Sequence, residues 1–436
     1  MQVLGSNFNS QNNDKSDLKK YLIIGMIACA VLIVFILVFM GIYSKNRPKV
    51  LTLTIDGAQV QIPNGMFKFE GENVYISLED IGKGDMAKLV GYRYVKGGYQ
   101  QFANDDNICY LEGSDEIATY KLNSDSLYKT LNNGIIEYSE YEMSAPVKKI
   151  DDKLYVISDG LATGCNFKFY YNPQTQQIVI NTLPYYFKTY KDKATTEYKY
   201  EGVDEEFVNQ KAVLYGMMVI KENGQFGVIT LENKTQVSAR YDKIEFVETS
   251  SEFFVTANKK MGVITNEGKI KITPYYDKIK LLDNTTKLYY VENNGRKGVL
   301  NRSGAILGKL FTEYDQIGIN ATLFPTNDIK NEMLLYDNCI PVRLANKWGI
   351  FNIEGEEIVG FNWDSLGCAL NTSKDKISNN ILLVPSIEGI VVCNNNKYGI
   401  INSTGKLLVP CVFDRIYSET TGGQEVYYVK FENQTI

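Results

Sequence analysis

Lys260-Met261-Gly262-Val263-Ile264-Thr265-Asn266-Glu267-Gly268-Lys269-Ile270-Lys271-Ile272-Thr273-Pro274-Tyr275-Tyr276-Asp277 decides the architecture. An apolar strand, Phe253-Phe254-Val255, precedes it, a second strand crosses Gly262, a turn at Asn266–Lys269 reverses the chain, and a third strand ends near Pro274. The pattern recurs as Gln225-Phe226-Gly227-Val228-Ile229, Arg296-Lys297-Gly298-Val299-Leu300, Lys347-Trp348-Gly349-Ile350-Phe351 and Lys397-Tyr398-Gly399-Ile400-Ile401. A second landmark follows each glycine: Tyr241-Asp242, Tyr276-Asp277, Trp363-Asp364 and Phe413-Asp414 put the Asp fifteen residues on, and Tyr314-Asp315 puts it seventeen on. Five spaced copies predict an all-β array of five three-stranded units over 212–436.

The glycines lie 35, 36, 51 and 50 residues apart, so units three and four carry insertions, near Gly318–Glu332 and Gly367–Asn380, that read as exposed loops. A period of 35 residues falls short of the roughly 40–45 of four-stranded propeller blades, which favours an open twisted stack over a β-propeller-like ring. Glu425–Phe431 matches the first strand of a unit but has no glycine strand after it before Ile436, and it reads as a cap on the fifth unit.

The array resembles the WG-repeat family, whose Trp-Gly pair stands intact at Trp348-Gly349 and is varied at Phe226, Met261, Lys297 and Tyr398. The resemblance implies a repeat scaffold used as a binding module, with no catalytic residues to carry over. Gly227, Gly262, Gly298, Gly349, Gly399, Asp242, Asp277, Asp315, Asp364, Asp414 and Trp348 are therefore expected to define the repeat structurally. A glycine inside a strand marks close approach of a neighbour. An Asp directly after a strand's last aromatic turns and caps its own backbone more often than it joins a ring around a cation or sugar.

Upstream, 50–183 reads as an α+β domain. Apolar and polar residues alternate around Asp56-Gly57, a hairpin signature. Val74–Ile81 couples a strand to a helix capped by Ser77, and Leu154–Leu161 repeats that pattern. Phe167–Pro173 and the strand Gln177–Asn181 follow. From Val147 to Ile180 the order of elements resembles the copper-amine-oxidase-like, or stalk, domain of bacterial envelope proteins. The resemblance implies a location outside the cytoplasmic membrane; it brings no copper site. Between the two regions, 184–211 is charged and reads as a linker.

Before both lies a polar tail, 1–20, and then Tyr21–Tyr43, an uncharged run of 23 residues, long enough at about 1.5 Å per residue to cross a bilayer core of roughly 30 Å. It is expected to be a single transmembrane helix. A cleaved signal peptide would have a shorter apolar core ending at small residues. Three basic residues flank each side, so charge does not orient the segment, and the stalk resemblance places the C-terminal domains outside.

Composition narrows the chemistry. The chain has 46 basic and 51 acidic residues and no histidine, which argues against a nucleic-acid surface and removes the usual imidazole base and metal ligand. No catalytic, cofactor-binding or metal site is expected. Seven cysteines without CxxC spacing read as core residues or as one or two disulfides. Asn104–Asn107 lacks the glycine and distal glutamate of a calcium loop and reads as a solvated turn. The expected function is a non-catalytic, membrane-tethered envelope protein presenting its repeats to a wall polymer or a partner protein. The rivals are a glycan-acting enzyme with paired carboxylates and a cytoplasm-facing scaffold.

Overall fold

Alternation of apolar and polar residues governs most of the chain, and in the computed structural model strands outweigh helices, 55% to 14% of the described residues. Those residues are 50–99, 107–132, 138–283, 286–319, 334–368, 381–421, 424–431 and 434–435. Two compact units divide the chain: residues 1–52 with 172–177, and the remainder. In the first, the Thr52 N–H donates to Gln176 O. The second holds almost all of the described chain.

Within 50–183 the hairpin turns at Asp56-Gly57, both residues at positive φ as a two-residue turn requires. The two expected strand-to-helix units pair with each other: Asn73–Ser77 runs antiparallel to Lys153–Ile157, and the helices Leu78–Ile81 and Ser158–Gly164 follow directly. Ser77 accepts from the Asp80 N–H and so caps the first helix. Between these halves lies a five-stranded meander, Arg93–Lys96, Ile108–Glu112, Glu116–Lys121, Ser126–Leu131 and Tyr138–Glu142. The region is thus mostly β with short helices, which corrects the α+β expectation. The segment read as a linker contains the helix Leu183–Thr196, whose Leu183, Phe187 and Ala194 pack with Met218, Ile220 and Ile229 of the first repeat.

The repeat units are four-stranded, not three-stranded. In unit two, Lys243–Val247, Glu252–Ala257, Lys260–Thr265 and Ile270–Tyr276 form one antiparallel meander. The strand missed in the sequence begins immediately after the Asp that closes the preceding unit. Lys243–Val247 alternates exposed or half-buried positions with buried ones, and Ile244 and Phe246 enter the core. The other units repeat this order, with Gly202–Val203, Lys278–Asp283, Gln316–Ile317 and Ser365–Leu366 as their opening strands. Glu425–Phe431 is likewise no isolated cap. It falls in the strand Gln424–Phe431, which pairs with Arg415–Thr421 and Gln434–Thr435 in a further sheet, and that sheet's Ile416, Tyr427 and Val429 pack on Val391 and Ile400 of unit five.

Among the described residues no helix is long and apolar enough to cross a membrane, and the expected spanning segment, Tyr21–Tyr43, lies outside them. Most of both insertions (320–333 and 369–380) and Asn104–Asp106 of the solvated turn also lie outside. No disulfide occurs among the described residues, where Cys109, Cys165, Cys339, Cys368 and Cys393 are buried in the core.

The repeated glycine sits where the fourth strand bulges toward the third. An added Cβ would lie 2.6 Å from Val237 O at Gly227, 2.5 Å from Ile272 O at Gly262, 2.4 Å from Leu310 O at Gly298, 2.8 Å from Val359 O at Gly349 and 2.6 Å from Val409 O at Gly399. The register shifts at the same places. These contacts are with backbone, which cannot swing aside. Gly262→Ala is therefore expected to cost about 1–3 kcal/mol, read as a lower melting temperature by circular dichroism; an unchanged melting temperature would contradict the close approach.

Candidate functional site

The aspartates that close the units are each half of a corner joining two sheets. Asp242 accepts the Asn258 N–H at 2.7 Å, Asp277 that of Asn294 at 2.8 Å, Asp315 that of Asn346 at 2.8 Å and Asp364 that of Asn395 at 2.7 Å. Every acceptor belongs to one sheet's end and every donor to a tight turn in the next sheet. The Asp backbone N–H bonds that same neighbour, as Asp242 N does to Thr256 O and Asp414 N to Lys430 O. Lys260 donates to Asp277 at 2.6 Å, and the analogous lysines Lys347 and Lys397 pair with Asp364 and Asp414. The Lys260 ammonium, helped by the Asn294 N–H, holds the Asp277 carboxyl below its ordinary range; Lys347 and Asn395 do the same for Asp364.

Trp348 pairs across strands with Trp363, as Phe226 does with Tyr241, Met261 with Tyr276 and Tyr398 with Phe413, so in four of the five units the residue before the glycine meets the aromatic before the Asp; in unit three Lys297 pairs with Thr312 instead. In units two to five a second glycine follows six residues after the first, within the turn that reverses the chain. Gly268, Gly304, Gly355 and Gly405 all have positive φ, and an added Cβ would strike the fourth strand of the preceding unit, at 2.1 Å from Gln236 O for Gly268 and 2.7 Å from Lys271 O for Gly304. Its constant spacing was the available signal.

Two polar clusters depart from this shared framework. The first is a buried joint between the upstream meander and the repeats. Lys129 and Lys211 alternate with Glu116 and Glu248: Lys129 Nζ lies 3.1 Å from Glu116 and 3.0 Å from Glu248, and Lys211 Nζ lies 2.7 Å from each. Asn166 accepts from Lys129 and donates to Glu116, while Tyr141 donates to Glu248. Burial pushes both carboxyls up, but the two ammonium groups outweigh it, holding Glu116 at about 2 and Glu248 below its ordinary range.

The second cluster lies in a cleft between units two and three, with Ile353 of unit four also in its lining. Glu252 opens the second strand of unit two, and its register opposite Thr265 corresponds to Met217 opposite Thr230 in unit one. The equivalent residues of the later units are Leu288, Cys339 and Gly389. A carboxylate thus enters the core at one unit alone of the five. It is satisfied there: Lys271 Nζ donates to Glu252 at 2.5 Å and to Tyr289 OH at 2.7 Å, and Tyr289 OH donates to Glu252 at 2.5 Å. Burial, then the bond to Glu252, pushes the Tyr289 hydroxyl well up, so it stays a donor. Above this triad opens a cavity of about 520 Å³, lined by Lys287, Leu288, Asn301, Arg302 and Ile353 as well.

Residues 398–433 match the model of the WG containing repeat, which supports the repeat resemblance. The match begins one residue before Gly399 and runs through the corner at Asp414. No curated protein matches the chain. Among solved structures, AztD from Citrobacter koseri is 9% identical over 86% of this chain and 89% of its own, with a TM-score of 0.24. Hsv2 of Kluyveromyces lactis, with loop 6CD replaced by a Gly-Ser linker, is 9% identical over 79% and 99%, at 0.21. PorZ, a surface component of the type-IX secretion system of Porphyromonas gingivalis, is 9% identical over 75% and 37%, at 0.19. Likeness at that level defines neither the arrangement of the sheets nor a function.

The buried joint sets a pH dependence. Carboxyls whose folded-state pKa is depressed add stability that is complete above the unfolded value, near 4.5, and is lost as pH falls toward the folded value, about 2 for Glu116. Melting temperature should therefore drop between about pH 4.5 and 2. Glu248→Ala, which leaves two buried ammonium groups with one carboxylate, should cost about 3–5 kcal/mol at pH 7 and flatten that drop. A variant with the parent's acid profile would show that the cluster does not couple folding to pH.

Proposed function

We propose that the chain is a non-catalytic scaffold of the cell envelope, which presents its row of β units to a wall polymer or a partner protein. The observation that carries this reading is the division of labour within each unit. The recurring glycines, aspartates and aromatics are engaged in holding sheets together, whereas the outer strands, which differ between units, expose apolar side chains. Ile270 and Tyr275 in unit two, Ile306 in unit three and Leu407, Leu408 and Val412 in unit five are all exposed on fourth strands. A surface of that kind suits contact with an extended partner. Attachment to the membrane, with the folded regions outside, rests on the apolar run 21–43 and on the stalk resemblance.

Two measurements test the proposal. Purified full-length chain incubated with isolated cell wall and surface proteins should be retained on one of them and release no soluble sugar fragments; release of fragments would replace the scaffold with an enzyme. For orientation, Glu354→Cys places a thiol in an exposed turn. An impermeant maleimide should label it in intact cells. Labelling only after lysis would put the repeats on the cytoplasmic side.

A further inference from the structure

The geometry points to the cleft between units two and three as a binding site for a small organic anion, a phosphate- or carboxylate-bearing molecule of about monosaccharide size. The inference rests on the binding-scaffold reading and narrows what is bound.

Charge argues for the anion. Glu252 and Lys271 neutralise each other on the floor, and both are engaged with Tyr289. Lys287 and Arg302 line the same cavity and have no hydrogen-bond or ion-pair partner among the described residues. Among the described lining residues three cations stand against one carboxylate, a surplus of two positive charges around one opening. A guanidinium presents a planar fork of donors that fits two oxygens of a phosphate or carboxylate, and a nearby ammonium adds a point charge.

The scaffold holds these groups in place. Asn301 Oδ1 accepts the N–H groups of Ser303 and Ala305, which fixes the turn carrying Arg302. Gly304 in that turn packs against Lys271 O of unit two, so the Arg302 turn and the Lys271 strand meet at the cleft. Lys287 lies just before the strand Leu288–Asn293, which supplies Tyr289 to the floor.

The rest of the lining argues for an organic body. Buried Leu288 and half-buried Ile353 give the cavity an apolar wall, which a bare inorganic anion would leave unused. A volume of about 520 Å³ lies within the range of small-molecule sites. The buried carboxylate at position 252, where the other units carry Met217, Leu288, Cys339 and Gly389, marks this cleft as a departure from the repeat rather than a product of it.

Isothermal titration of the full-length chain with glucose 1-phosphate, glucuronate and glucose tests the assignment. Binding of a charged sugar without binding of glucose is expected, and the two charged probes separate phosphate from carboxylate preference. Arg302→Gln and Lys287→Gln should each weaken binding roughly tenfold, as loss of one charge-assisted hydrogen bond does. Both side chains leave a turn at the surface, so the variants should melt like the parent, and Lys309→Gln, on an exposed position of unit three, should bind like it. The inference is overturned if neither charged sugar binds, or if both bind the Arg302 and Lys287 variants as tightly as the parent. Retention on cell wall without binding of either sugar would leave the scaffold reading intact and remove this site alone.

Discussion

A carboxylate at the end of one sheet that receives a backbone N–H from the next is the contact on which the repeat region depends. A single residue separates Tyr241 of unit one from Lys243 of unit two, and that residue, Asp242, must turn the chain out of one sheet and into another. Its own N–H bonds Thr256 O and its side chain takes the Asn258 N–H, so both polar groups of the corner find partners in the sheet being entered. With the corner fixed, apolar faces of successive sheets meet: Tyr241 and Val237 with Phe253 and Val255, Tyr276 and Ile272 with Tyr289 and Val291. Burial of those faces supplies the bulk of the driving force, and the corner selects which faces meet.

The two glycines of units two to five serve the same end from different sides. The first lets the fourth strand bulge against the third, and the second lets the following unit's turn approach that fourth strand. A side chain at either place would push apart backbones that are already in contact. Because these requirements are steric and directional, they recur at fixed spacing, whereas the Trp of the Trp-Gly pair varies freely among Phe, Met, Lys and Tyr.

The sequence displayed what recurs and hid what depends on a neighbour. The glycine strand, the turn after it and the aromatic-Asp pair were legible because periodicity exposes them. The opening strand was not, because Lys243–Val247, Lys278–Asp283, Gln316–Ile317 and Ser365–Leu366 follow the Asp without any turn residue, and a strand that changes sheets at one residue looks like the tail of the strand before it. The α+β reading of 50–183 weighted two clear helix starts and overlooked the meander between them. Glu252 could have been noticed as an acidic residue in a column of Met, Leu, Cys and Gly, but its partner Lys271 comes from another strand and Tyr289 from another unit. Glu116, Lys129, Lys211 and Glu248 span more than a hundred residues, and no local pattern announces such a joint.

Amide hydrogen exchange of the full-length chain and its Asp364→Ala variant addresses the corner most directly. Loss of the carboxylate should speed exchange at Asn395 and through the turn 394–397 of unit five, and leave the turn 258–259 of unit two, held by Asp242, as slow as in the parent. Equal protection of Asn395 in the two proteins would mean that burial of apolar faces alone sets the relation of successive sheets, and the corner would lose its place in the account.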